Sequence, residues 1–289
     1  MIHQPLPPAL WTYLHNKYSI LDACVVKGGS INEALKLSTK AGDFFLKWND
    51  HFLPDFFETE TKNLALIAST NTIKTPTVIE FGETADAAFL LLNYIAPGIH
   101  SFKSMQQFGE QLAQLHLAKN TASGLSYTNY CGLVLQQNNP TQSWTDFFVE
   151  YRLRPLVNLA FSRKLISLEE VSLFIKLFAS LPQLFPDETP SLLHGDLWNG
   201  NFLIDANQTP YLIDPACYFG HREMDISMTL LFGGFDKSFY DAYQTVYPLQ
   251  AGWRDRMVLW NLYPLLVHLH LFGEPYQQQI KAHLEAIAA

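Results

Sequence analysis

With 289 residues, 48% of them hydrophobic and 16% charged, the chain can bury a core in one large domain or two modest lobes, and it is not a disordered segment. A formal net charge of −8, with no run of Lys and Arg, excludes long-range attraction to nucleic-acid phosphate. Three cysteines, Cys24, Cys131 and Cys217, are odd in number and far apart, which excludes a disulfide framework and paired zinc ligands.

The first residues, Met1-Ile2-His3-Gln4-Pro5, lack a basic region followed by an apolar core, so no secretory leader is expected. Residues 23–27 and 34–39 read as paired strands joined by Gly28-Gly29-Ser30-Ile31-Asn32-Glu33, and 43–48 as the next strand. Alternation along that strand points Phe44, Leu46 and Trp48 one way and Phe45 and Lys47 the other. A helix over 55–69 follows Pro54, with Phe56, Glu60, Leu64 and Ile67 on one stripe. Glu60 therefore sits on an apolar face and needs a partner, because an unpaired buried carboxylate is expensive. Strands are expected at 77–80 and 88–95, and Ala96-Pro97-Gly98 breaks the pattern as a linker.

Beyond the linker, 104–118, 144–159 and 168–181 have helical periodicity. Two short apolar segments, 202–204 and 211–213, flank Asn207-Gln208 as in a hairpin. From Asp225 onward the pattern is mostly helical. The stretch 257–272 is the most apolar, yet it contains Asn261, Pro264, His268 and His270 and is shorter than the ~20 apolar residues of a membrane span. It reads as a buried helix, so a soluble, cytoplasmic monomer without membrane contact is expected. The layout is α+β: a small antiparallel-sheet lobe with one helix over 1–95, and a larger, mainly helical lobe over 96–289.

One segment carries chemistry: Leu193-His194-Gly195-Asp196-Leu197-Trp198-Asn199-Gly200-Asn201, followed by the hairpin that ends in Ile213-Asp214-Pro215. Taken singly, Asp196 and Asn201 are turn residues and Asp214 a strand cap. As an ordered set they match what phosphoryl transfer from ATP requires: a carboxylate to orient a hydroxyl, and hard oxygen ligands for Mg²⁺. In protein kinases the base and the metal-binding amide stand five positions apart, as Asp196 and Asn201 do (201 − 196), and the second metal-binding acid follows a hairpin, as Asp214 does. Lys47 and Glu60 suit the pair that holds the non-transferred phosphates. Gly28, Gly29 and Ser30 would form the phosphate-covering turn, where glycine lets backbone N–H groups approach closely. The longer glycine pattern of protein kinases is absent, so Ser30 would supply a side-chain contact.

These residues resemble a known family. His194-Gly195-Asp196 is the form of the catalytic triplet in aminoglycoside phosphotransferases and choline kinases. A narrower resemblance is to the fructosamine (ketosamine) 3-kinases. It rests on Gly28 through Glu33, on His194 through Asn201 with Trp198, and on Tyr218-Phe219-Gly220-His221-Arg222-Glu223-Met224-Asp225. It continues through Leu231-Phe232-Gly233-Gly234-Phe235, Tyr240-Asp241-Ala242-Tyr243 and His268-Leu269-His270-Leu271-Phe272-Gly273. The resemblance implies a two-lobed protein-kinase-like fold and ATP-dependent phosphorylation of the third-carbon hydroxyl of ketosamines, free or on glycated proteins. The phosphorylated adduct of such sugars is unstable, which links the family to deglycation.

The resemblance also implies Asp196 as base, Asn201 and Asp214 as Mg²⁺ ligands, and Lys47 with Glu60 as the nucleotide-holding pair. It makes 91–95, with Leu92, Asn93 and Tyr94, the adenine-side hinge, where Asn93 stands in place of an expected acid. Trp198 would stack on the sugar or pack. His221, Arg222 and Glu223 would contact substrate or support their loop. Asp225 would brace the catalytic loop or cap a helix, and His194 would hydrogen-bond within that loop or act as a proton shuttle. A kinase of another small hydroxyl compound, such as an aminoglycoside or amino alcohol, and a non-catalytic pseudokinase binding module are the competing readings.

Overall fold

The computed structural model describes residues 6–26 and 31–288. Gly28, Gly29 and Ser30 lie outside the described residues. The sheet is five-stranded and antiparallel, in the order β1-β2-β3-β5-β4, with β1 (Ile20–Val25), β2 (Glu33–Thr39), β3 (Gly42–Asn49), β4 (Val78–Glu83) and β5 (Ala88–Asn93). Alternation in β3 falls as the sequence indicates. Leu46, Phe44 and Trp48 pack on one side of the sheet, and Phe45 packs on the other.

Each face is covered by a helix. The sequence reading assigns this lobe one helix, α2 (Phe56–Ser69); the structure adds α1 (Pro8–Tyr18) ahead of the sheet. Leu10 and Leu14, four residues apart, bury against Ile20, Leu35, Leu37 and Leu46. Pro8 stands in the first turn, and the Asp86 carboxylate accepts from Ala9 N and Leu10 N at 2.8 and 3.2 Å, satisfying N–H groups that a helix start leaves orphaned. On the opposite face, Phe56, Phe57 and Leu64 of α2 pack on Ala88, Leu90 and Leu92.

The larger part is mainly helical. It holds α3 (Phe102–Leu115), α4 (Trp144–Phe147), α5 (Arg154–Ser162), α6 (Leu168–Ser180), α7 (Glu223–Leu231), α8 (Lys237–Val246), α9 (Met257–Trp260), α10 (Leu262–Phe272) and α11 (Gln277–Ala288). Three two-stranded antiparallel pairs lie among them: β6 (Asn129–Cys131) with β7 (Val134–Gln136), β8 (Ser191–Leu193) with β11 (Tyr218–Gly220), and β9 (Phe202–Ile204) with β10 (Pro210–Leu212). One large core joins these elements.

Two expected helices are interrupted. The stretch expected as one helix over 144–159 is α4, a π-helical turn at Phe148–Leu153, and α5. Pro155 cannot donate to the Tyr151 carbonyl, and the preceding turn is wound wide. The freed carbonyl accepts from Arg152 Nη1 at 3.0 Å. The expected helix over 257–272 breaks between α9 and α10, where Pro264 cannot donate to the Trp260 carbonyl. No helix among the described residues is long and apolar enough to cross a membrane.

Candidate active site

A cavity of about 370 Å³ lies between the sheet and the helical part. From the sheet side it is lined by Lys47, Glu60, Leu92, Asn93 and Tyr94, and from the other side by Asp196, Trp198, Asn201 and Asp214. These residues, up to 167 positions apart, are therefore brought to one place.

Lys47 faces α2 because β3 alternates, and Glu60 meets it from the first turns of α2. Their Nζ–Oε1 distance is 2.7 Å, and Lys47 also contacts Asp214 Oδ1. Burial alone would lower the Lys47 pKa, but the Asp214 and Glu60 carboxylates outweigh it and hold the ammonium protonated, above its ordinary range.

The segment that carries Asp196 and Asn201 is a loop between β8 and β9. Asp225, 1% exposed in the first turn of α7, is its brace. Its carboxylate accepts from His194 N at 2.7 Å and Gly195 N at 2.9 Å, and lies 3.2 Å from His116 Nε2. Burial would raise its pKa; these partners, the His116 bond first, bring it below the ordinary carboxylate value. Asp225 is inside the helix, so it is a loop brace and not an N-cap.

His194 makes one side-chain bond within the loop and one to the residue that follows β10. Nδ1 accepts from Asp196 N at 3.2 Å, which leaves Nε2 to donate to Ile213 O at 2.9 Å. Burial lowers its pKa, so the ring is neutral. Gly195 has φ +82°, and a Cβ there would run into the Ala216 carbonyl.

Asn201 Nδ2 donates to Asp196 O at 2.7 Å and to Asp196 Oδ2 at 2.8 Å. That orientation leaves Asn201 Oδ1 as the free end of the amide. Burial pushes the Asp196 carboxyl up to about 7; the Asn201 bond pulls against this, and the Asp214 and Asp225 charges add to it. Asp214 adopts φ +56°, and its side chain is 41% exposed to the cleft.

Among the other expected residues, Trp198 lines the cleft, with its ring over Gly200 and edge-on to Phe232 at 6.1 Å. Asn93 Oδ1 accepts from Thr77 N at 2.5 Å, so its side chain ties β5 to the start of β4. His221, Arg222 and Glu223 are buried and do not line the cleft. Arg222 forks onto Glu188 at 2.8 and 3.0 Å and stacks 3.6 Å from the Tyr247 ring centre. Glu223 accepts from Arg256 at 2.8 and 2.6 Å and from Trp260 Nε1 at 2.8 Å. His221 stacks on Trp260. With these partners, the three are unavailable to a ligand in the cleft. Sequence reasoning did not identify Asn63, Tyr130 and Gly132, which also line the cavity. Gly132, at φ +59° in the β6–β7 turn, lets that hairpin approach Ile31.

The chain matches the fructosamine kinase family model over residues 8–289. It is 41% identical over 253 residues to a protein of Lactiplantibacillus plantarum named a probable ketoamine kinase, covering 87% of this chain and 89% of that one. It is 36% identical over 260 residues to the chloroplastic protein-ribulosamine 3-kinase of Arabidopsis thaliana, covering 87% and 78%. Among solved structures, a fructosamine-3-kinase candidate from Haemophilus somnus 129PT superposes with a TM-score of 0.87 at 28% identity, covering 97% of each chain.

Proposed function

The chain belongs to the fructosamine kinase family, and on that premise we propose that it transfers the terminal phosphoryl group of ATP to the third-carbon hydroxyl of a ketosamine. The observation that carries this reading is the convergence of Lys47, Glu60, Asp196, Asn201 and Asp214 on one cleft. Residues 1–95 act as the nucleotide-covering lobe, and 96–289 carry the catalytic loop. The acceptors are sugar adducts of amines, as small molecules or on glycated proteins.

Asn201 Oδ1 and the Asp214 carboxylate fit Mg²⁺. Both are hard oxygen donors at the cleft. When bound, the ion neutralises charge on the phosphates. Lys47 holds the non-transferred phosphates through its ammonium. Asp196 accepts a hydrogen bond from the sugar hydroxyl and takes its proton at Oδ1, since Oδ2 is held by Asn201. A carboxyl poised at about 7 is matched to that transfer near neutral pH. Most of the rate enhancement comes from positioning and charge stabilisation.

The test is ATP consumption with Mg²⁺ on fructosyl-lysine, ribulosyl-lysine and an aminoglycoside, with Asp196→Asn alongside. Turnover on a ketosamine, lost in the variant while ATP binding persists, is expected. Activity on the aminoglycoside alone would overturn the substrate assignment, and full activity in the variant would overturn the role of Asp196.

A further inference from the structure

The segment after Asp214 is held by side-chain amides at three successive carbonyls. Asn63 Nδ2 donates to Pro215 O at 2.8 Å, Gln136 Nε2 to Ala216 O at 3.3 Å, and Asn129 Nδ2 to Cys217 O at 2.8 Å. All three amides are buried. They also bond one another: Asn129 Nδ2 reaches Asn63 Oδ1 at 3.3 Å, and Gln136 Nε2 reaches Asn129 Oδ1 at 3.0 Å. Tyr127 donates to Asn63 Oδ1 at 3.0 Å, and Tyr263 to Gln136 Oε1 at 2.7 Å. Filling this volume alone would favour apolar side chains, because a buried amide is costly unless its bonds are met. A connected polar network instead fixes one arrangement.

The arrangement it fixes includes the reacting centre. Asn63 stands three residues after Glu60 on α2, so one helical turn presents Glu60 to Lys47 and Asn63 to Pro215. Lys47 in turn contacts Asp214. A closed ring results: Lys47 to Glu60, along α2 to Asn63, across to Pro215, and back through Asp214 to Lys47. The ring joins the sheet lobe to the metal-side segment.

We propose that Asn63 is a positioning residue that sets Asp214 against the Lys47–Glu60 pair, so that residues 214–217 keep one conformation with or without nucleotide. This rests on the reading of Asp214 as a metal ligand. Holding Asp214 raises affinity for the ion in the nucleotide complex. It acts through Asp214 and not through Leu92, Asn93 and Tyr94, which line the cleft from the sheet side.

The experiment compares the wild-type protein with Asn63→Leu, which keeps the volume and removes the donor. Thermal shifts are measured with ADP alone and with ADP plus Mg²⁺, together with the Mg²⁺ dependence of turnover. The expected result is an unchanged shift with ADP alone and a metal-dependent increment reduced by half or more. Half-saturating Mg²⁺ should rise roughly tenfold, the scale of one lost hydrogen bond, with the ketosamine KM unchanged. Tyr127→Phe, which leaves the Asn63 donor in place, should keep the full increment. A full metal increment in Asn63→Leu, or an equal loss in Tyr127→Phe, would overturn the proposal. No metal increment in the wild type would overturn the reading of Asp214 and this inference with it. Should Asn63→Leu fail to fold, hydrogen exchange on the wild type decides. The Ile213 and Ala216 amides, which donate to Asn201 O and His194 O on either side of Asp214, should be equally protected with and without Mg²⁺ and ADP, and protection that appears only with nucleotide would refute a fixed segment.

Discussion

Replacing Asp225 with Asn tests the brace beneath the catalytic loop. The carboxylate has two oxygens and at least two obligate donors, His194 N on Oδ2 and Gly195 N on Oδ1. An amide has one acceptor. With its oxygen toward Gly195, the NH₂ group faces His194 N–H; with its oxygen toward His194, Gly195 N–H is orphaned. His116 can adapt by changing tautomer against Tyr243, 2.7 Å from its Nδ1, but the backbone cannot. One buried N–H left unpaired costs about 1–3 kcal/mol, and weakening the other bond from charged to neutral costs about 1 kcal/mol more. At 1% exposure solvent screens little of this, so a loss of roughly 2–4 kcal/mol is expected for Asp225→Asn. Urea denaturation should show a midpoint lower by about 1 M or more, given slopes of ~1–3 kcal/mol/M. Because the loop carries Asp196, kcat should fall roughly 10²-fold, as for a misplacement near 1 Å. An unchanged urea midpoint with unchanged kcat would refute the brace.

Three other perturbations have defined outcomes. Gly195→Ala should destabilise the protein and sharply reduce kcat, because φ +82° costs an L-residue about 1–2 kcal/mol and the new Cβ runs into the Ala216 carbonyl; circular dichroism melts and turnover assays check both. Lys47→Met should lower kcat/KM for ATP by roughly 10²–10³ while leaving the ketosamine KM near the wild-type value, measured by steady-state kinetics. In Asp196→Asn, which removes a buried carboxyl whose raised pKa acts in the opposite sense, stability should fall as pH drops below about 6.5, because burial depresses the pKa of His116, His194 and His221 in the folded state. The unfolded chain then binds more protons, so the stability these rings contribute is present above 6.5 and lost on acidification, by at most about 1.4 kcal/mol per pH unit for each ring. Equal urea midpoints of that variant at pH 7.5 and 5.5 would contradict this.

What the sequence made legible depended on distance along the chain. Asp196, Asn201 and Asp214 lie on one short loop and hairpin, where spacing fixes geometry. Lys47 and Glu60 were readable because strand alternation and a helical stripe each point a side chain without long-range information. The rest required partners far away. The cap of α1 is Asp86, 77 positions from Ala9, so the helix start carries no local Ser, Thr or Asn signal. Strands β6, β7, β8 and β11 have three residues each, too few for a period of two to register. Asn63 meets Pro215 across 152 positions, and nothing near either residue announces the pairing.

The stretch from Tyr218 to Asp225 shows why a distinctive motif need not face the ligand. Its charges satisfy one another's surroundings: Arg222 with Glu188, Glu223 with Arg256 and Trp260, and Asp225 with the backbone of His194 and Gly195. Removing one member of a buried ion pair strands the other, at a cost of about 3–5 kcal/mol, so such positions resist substitution for reasons of folding alone. Of these, only the Asp225 bonds reach the segment that carries Asp196; Arg222 ties the start of α7 to the loop before β8, Glu223 ties it to α9, and the side chains of His221, Arg222 and Glu223 do not line the cleft. The side chains open to a ligand are those that reach the cleft. Trp198 is one of them, carried by the same loop that Asp225 holds, and its ring is set against Gly200, where any larger residue would push it aside.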